Sequence, residues 1–181
     1  RLLTILNVSF FKYFGYLEVL LGFVFYIYQL YLIFKTKVRK QKDIYYLYIV
    51  FAVISFILAL ILSCFYFIYL NDYILSVAGF VFLIGFLSPM ITAHLYKIVP
   101  FLVWFHRFSS LVGKQKVPML ADMVPLKSSN FGFSFYLIGF ILSLIAFSLN
   151  SDILFKSAVS FLFIGTLFIV KDVFYIINFK G

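Results

Sequence analysis

Long apolar stretches alternate with short polar breaks along the chain, and the stretches are long enough to cross a membrane. Five runs stand out: Tyr13–Phe34, interrupted by Glu18 and Gln29; Ile44–Leu70; Tyr73–Val99; Phe131–Leu149; and Ile153–Ile177. A helix needs about 20 apolar residues to cross the hydrocarbon core. A barrel strand instead alternates apolar and polar positions over about ten residues, whereas these runs are apolar on every face. The pattern predicts an all-α, polytopic transmembrane helix bundle of five spans, forming a single transmembrane domain over residues 1–181.

The breaks set an orientation. The first holds five bases, Lys35, Lys37, Arg39, Lys40 and Lys42. The third holds Arg107, Lys114, Lys116 and Lys127, and Lys180 follows the last span. The second and fourth are only Asn71-Asp72 and Asn150-Ser151-Asp152. Basic loops stay on the cytoplasmic side, so the alternation predicts a multi-pass protein of the cell inner membrane with its C-terminus in the cytoplasm and its N-terminus outside. Residues 1–12, with Arg1 and Lys12, fit that outside position poorly. They read as a short interfacial helix or as the tail of an earlier span. An odd number of spans with an outside start reads as the C-terminal part of a longer chain.

Composition removes the soluble alternatives. The chain is 65% hydrophobic and 12% charged, with a mean hydropathy of +1.13, against about 25% charged residues in a soluble domain. So little polar side chain cannot cover a surface in water, and lipid is the expected surrounding. The net charge of +9 comes from the clustered loop bases, which build no basic surface with exposed aromatics, so a nucleic-acid partner is not expected. The expected partners are the lipid bilayer and other membrane subunits. Cys64 is the only cysteine, which excludes an intrachain disulfide and a cysteine metal cluster. Tyr45, Tyr46, Tyr48, Tyr66, Tyr69, Tyr73 and Trp104 fall near the predicted interfaces, where aromatic belts form.

Ionisable side chains in lipid are costly and mark candidate sites. They sort into two layers by depth, at about 1.5 Å per residue. Toward the outside, Glu18 and Lys156 lie at matching depths. They either pair, which requires the first and fifth spans to touch, or snorkel outward separately. Toward the inside lie His94 and Lys97 on the third span and Lys171 and Asp172 on the fifth. Neighbours on a helix point about 100° apart, so one of Lys171 and Asp172 faces the bundle, and Lys97 is the candidate ion partner for Asp172.

The stretch richest in unusual chemistry runs from His94 to Pro125. Pro89 and Pro100 each remove a helical hydrogen bond and predict kinks. Gly79, Gly85 and Ser88 permit close helix approach. His94 and His106 are twelve residues apart, about 18 Å along a helix, so they cannot share one haem iron. A single-ligand haem site at His94 remains open, beside a plainer reading of His94 as a hydrogen-bonded polar group. His106, beside Arg107, reads as a solvated interface residue. Two histidines without cysteine or a carboxylate cluster make a zinc site weak. The loop 117–125 is apolar for its position and predicts a segment that folds back on the membrane or caps the bundle.

The block His94–Arg107, together with Lys116-Val-Pro118 and Asp122-Met-Val-Pro125, resembles a segment of poorly characterised bacterial membrane proteins that share the fold of the haem-copper oxidase catalytic subunit. The resemblance covers about 30 residues. It implies that fold and a respiratory, electron-transport context, but not oxygen reduction, because oxidases place several histidines on several spans and this stretch has two on one helix. Under this reading His94, Lys97 and His106 are the cofactor-binding candidates. His94 is an iron ligand or a hydrogen-bond donor, Lys97 attracts a haem propionate or quinone carbonyl, and no catalysis is expected from the chain alone. Two other classes remain: a transporter or ion-conducting domain using Glu18, Lys156, His94, Lys97 and Asp172, and a non-catalytic structural subunit of a larger membrane complex. No protease, acyl-transfer or phosphate-loop motif is present.

Overall fold

The computed structural model describes residues 2–36 and 43–179. The basic stretch 37–42 and Lys180 lie outside the described residues, as does Arg1. Among the described residues every regular element is helical. They are α1 (Leu2–Thr36), α2 (Ile44–Tyr69), α3 (Asp72–Phe80), a π-helical segment (Val81–Leu87), α4 (Ser88–Arg107), single 3₁₀ turns at Ser109–Leu111 and Leu120–Met123, α5 (Leu126–Leu149) and α6 (Asp152–Ile177). Among the described residues four runs are long and apolar enough to cross a membrane: Ile44–Tyr66, Asp72–Arg107, Leu126–Leu149 and Asp152–Ile177. Helix α1 carries a shorter apolar stretch, Leu17–Ile33. The protein is an all-α, multi-pass helical membrane protein.

The chain divides into two units, Arg1–Gln41 and Lys42–Gly181. The first is the single helix α1. Residues 2–12 continue into the span without a break, so the separate interfacial helix read from the sequence is not what forms. The second unit packs α2 to α6.

The third span departs from a regular helix of the predicted length at its two prolines. The third span does not stop near Val99. Pro100 sits inside α4, which runs on to Arg107. Proline forbids only its own N–H bond and crowds the preceding turn, and the apolar surroundings of a buried Pro100 leave the helix no better alternative. At Pro89 the accommodation is a π segment directly upstream. There the Ser88 N–H reaches back to the Leu83 carbonyl. The next π-type donor, to the Ile84 carbonyl, would be an N–H that Pro89 lacks. The Tyr136 hydroxyl of α5 donates to that carbonyl at 2.8 Å. Tyr136→Phe strands that carbonyl in the bundle and is expected to cost about 1–3 kcal/mol, measured as a lower thermal midpoint in detergent.

The antiparallel hairpins close as the polar breaks predict. Leu70 and Asn150 end α2 and α5 in the left-handed region, each with φ 49°. Asn71 accepts the Tyr73 N–H on its side chain at 2.9 Å, and Ser151 accepts that of Leu154 at 3.4 Å. The Tyr73 hydroxyl bonds the Phe147 carbonyl, tying the two hairpin tips together.

Helices α5 and α6 form the tightest seam. A Cβ added at Gly139 meets the Leu162 nitrogen at 2.7 Å and the Ala158 oxygen at 2.9 Å. One added at Gly165 meets the Tyr136 nitrogen at 2.8 Å, and one at Gly132 meets the Phe168 Cβ at 2.8 Å. In lipid there is little hydrophobic gain from helix pairing, so backbone-to-backbone approach through small residues supplies the dispersion contact instead. Beside this seam, Phe51, Ala59, Val81, Tyr136, Phe140 and Leu162 form a buried apolar cluster. Phe51 meets the rings of Phe133, Tyr136 and Phe140 edge-on. Hydroxyls elsewhere on the spans donate to the carbonyl four residues back, as Ser63, Thr92, Ser143 and Thr166 do. This satisfies them without a second helix.

The end of this unit that holds Lys97, Arg107, Lys127 and Lys171 is its basic end. The segment 108–125 folds back there. Trp104 Nε1 donates to the Pro118 carbonyl at 2.9 Å, Arg107 Nη1 donates to the Phe179 carbonyl at 2.7 Å, and Met123 is fully buried. Of the two positions the sequence left open for this loop, the structure has the one that caps the bundle.

Candidate functional site

His94, Lys97 and Asp172, singled out from the sequence, fall into two adjacent groups near the basic end. Asp43, Tyr45, His94 and Lys97 form the outer one. Lys97 Nζ lies 3.0 Å from Asp43 Oδ2 and 5.3 Å from the centre of the Tyr45 ring, and that ring meets His94 edge-on at 5.9 Å. The side chains of Lys97 and Asp43 are 51% and 33% exposed, so the ion pair contributes at most about 1 kcal/mol where water reaches it. His94 is half-buried, and its Nδ1 lies 2.8 Å from the Met90 carbonyl one turn back. A carbonyl only accepts, so Nδ1 carries the hydrogen and the neutral ring has its lone pair on Nε2. His106 repeats the arrangement on the Leu102 carbonyl but is exposed.

The inner group was not foreseen as a group. Asp172 is completely buried. The Tyr96 hydroxyl donates to its Oδ2 at 2.8 Å, while Oδ1 has no hydrogen-bond partner among the described residues. Tyr48, also completely buried, stacks on Tyr96 at 6.0 Å between ring centres and meets Phe133 edge-on at 5.0 Å. Its hydroxyl likewise has no partner among the described residues. Four helices meet at this point: Tyr48 comes from α2, Tyr96 from α4, Phe133 from α5 and Asp172 from α6.

Two sequence expectations are corrected by this geometry. Lys97 pairs with Asp43 rather than Asp172, because position 97 sits on a half-exposed flank of α4 while position 96 carries the buried face. Tyr48 is an interior residue, not part of an interfacial belt. Four residues into α2 is a belt-like depth, but the side of the helix is what decides, and this side faces Tyr96. The reading that only one of Lys171 and Asp172 faces the bundle agrees with the structure: Asp172 is inside, and Lys171 Nζ lies over the Phe168 ring at 5.6 Å. Glu18 belongs to the first unit and Lys156 to the second, and each is exposed in its own unit.

Among the described residues no three of His, Cys, Asp and Glu gather closely enough to hold a metal ion. An open groove of about 260 Å³ runs along α2, lined by Ile57, Leu60, Ile61, Cys64, Phe65 and Ile68. It is apolar and does not include His94. No protein-family model, curated protein or solved structure matches this chain.

Proposed function

We propose that this chain is a membrane domain of respiratory-chain context, and that His94 offers an imidazole nitrogen to a haem or quinone held jointly with a partner subunit. The observation that carries the reading is the His94 tautomer. An imidazole that serves a metal or accepts from a hydroquinone needs one nitrogen bare and the ring held still. Ligating histidines commonly achieve this by giving the other N–H to a carbonyl. The Met90 carbonyl takes that role, and Tyr45 braces the ring edge. His94 would supply one ligand to such an iron and this helix no second one, since His106 lies about 18 Å away on it. The second ligand and most of the enclosing wall belong to the partner. Lys97 is engaged by Asp43, so a propionate or quinone carbonyl competes with that ion pair. The resemblance of His94–Pro125 to haem-copper-oxidase-like proteins supports the same context, and the positive-inside bias puts the basic end in the cytoplasm.

The test is a visible spectrum and a lipid extract of the protein purified from its native membrane. A Soret band, or co-extracted quinone, is expected in the native protein. His94→Ala is expected to lose it and His106→Ala to keep it. A preparation with neither, or one whose cofactor survives His94→Ala, overturns the reading.

A further inference from the structure

The two unpartnered polar atoms at the inner group lie in one small region. Asp172 Oδ1 belongs to the carboxyl that Tyr96 binds, and the Tyr96 ring stacks on that of Tyr48 at 6.0 Å between ring centres. One atom is an acceptor without a donor, and the other is a hydroxyl without an acceptor. Burying such groups unpaired costs several kcal/mol each in an apolar medium, so buried polar groups almost always have a partner.

More acceptors stand nearby. The contacts of Gly139 with Leu162, Gly165 with Tyr136 and Gly132 with Phe168 fix an antiparallel register that puts Ser129 level with Asp172. Ser129 is completely buried, and its hydroxyl donates to the Leu126 carbonyl at 3.2 Å, leaving its lone pairs unused. Pro100, one turn beyond Tyr96, removes that residue's usual helical donor and leaves a backbone carbonyl on the same buried side of α4. Toward the basic end, Ile44, Met123 and Ile176 are at most 3% exposed, so the region is closed to bulk solvent.

We propose that Tyr48, Tyr96, Ser129 and Asp172 enclose a binding site for an internal water molecule, which accepts from the Tyr48 hydroxyl and donates to Asp172 Oδ1. Its second hydrogen goes to the Ser129 oxygen or the Tyr96 carbonyl. That gives three hydrogen bonds, the usual number for a buried water. Sodium is the other small ligand that such oxygens attract. It fits less well, because it has no hydrogen to give Ser129 and gains nothing from the Tyr48 proton. The site does not depend on the His94 reading, and the bundle gains from it a hydrated interior point where its buried carboxyl is fully bonded.

Pulsed X-ray hydroxyl-radical footprinting of the full chain in detergent tests this, because radicals formed from a bound water label the side chains that touch it. The control is Tyr136, which is 4% exposed but has its hydroxyl satisfied by Ile84. Tyr48 is expected to be labelled several-fold faster than Tyr136 in the unaltered protein, and Tyr48→Phe is expected to reduce labelling of Tyr96. Equal labelling of Tyr48 and Tyr136 overturns the proposal. So does labelling that disappears in sodium chloride and returns in choline chloride, which identifies a sodium ion in place of the water.

Discussion

Gly139→Leu is expected to leave no folded second unit. The first carbon of any side chain at that position falls 2.7 Å from the Leu162 nitrogen and 2.9 Å from the Ala158 oxygen. Both are backbone atoms of α6, so relief requires moving a whole helix rather than turning a rotamer. Even Gly139→Ala is expected to cost about 1–3 kcal/mol, the usual range for an overfilled contact. The bulk of leucine pushes α5 and α6 apart along the seam that also carries Gly132 and Gly165. Fluorescence-detected size-exclusion chromatography in detergent reads this as loss of the monodisperse peak. Gly79 provides the contrast. It has nothing within 4 Å of an added Cβ, so Gly79→Ala is expected to be neutral or to gain up to about 1 kcal/mol from helix propensity.

Asp172→Lys is expected to abolish the native fold by a different route. It places an ammonium among Tyr48, Tyr96 and Ser129 with no anion to meet it, and an uncompensated buried charge costs about 3–5 kcal/mol or more. Adding Lys97→Asp does not rescue it, because Lys97 sits on the flank of α4 with Asp43. Exchanging the other pair, Lys97→Asp with Asp43→Lys, is expected to restore what little either single change loses. Expression and thermal midpoint of these single and double variants separate the outcomes. Rescue of Asp172→Lys by Lys97→Asp contradicts the structure.

The helices were legible because apolar length is a strong signal in a membrane chain. The ends of α6 follow the predicted fifth span closely, and the Asn-Asp and Asn-Ser-Asp turns fall where their polarity marks them. Pro100 was legible as a lost helical bond and a kink, but how far the third span runs beyond Val99 was not: in a packed bundle the neighbouring side chains outweigh one lost bond, and α4 runs to Arg107. The α5–α6 seam is present in the sequence as Gly132 and Gly139 on one span and Ala158 and Gly165 on the next, small residues seven apart, but small residues on a span do not say which helix they meet. The Asp172–Tyr96–Tyr48 group was harder to see. Its partners come from three helices 76 residues or more apart end to end, and nothing in the composition distinguishes an interior tyrosine from one in an aromatic belt. The side of the helix decides that, and the side is known only once the helices are placed. His94 was legible as a candidate, but its tautomer follows from the Met90 carbonyl and needed coordinates.

The π segment has a consequence for how one long helix serves its neighbours. Val81, Gly85, Pro89 and Ala93 are all buried, four residues apart each time. In a uniform α-helix a step of four overshoots a full turn by about 40°, so three steps drift by about 120°, and the seam winds off the face it began on. The wider turns of Val81–Leu87 absorb much of that drift, so one file of buried residues, Val81 to Ala93, stays on the side of the helix that packs against α2. The aim of Tyr96 at Asp172 is thus set about three turns away. A residue added to or removed from that segment changes the angular phase of everything below it, carrying His94 and Lys97 around the helix axis without altering either side chain.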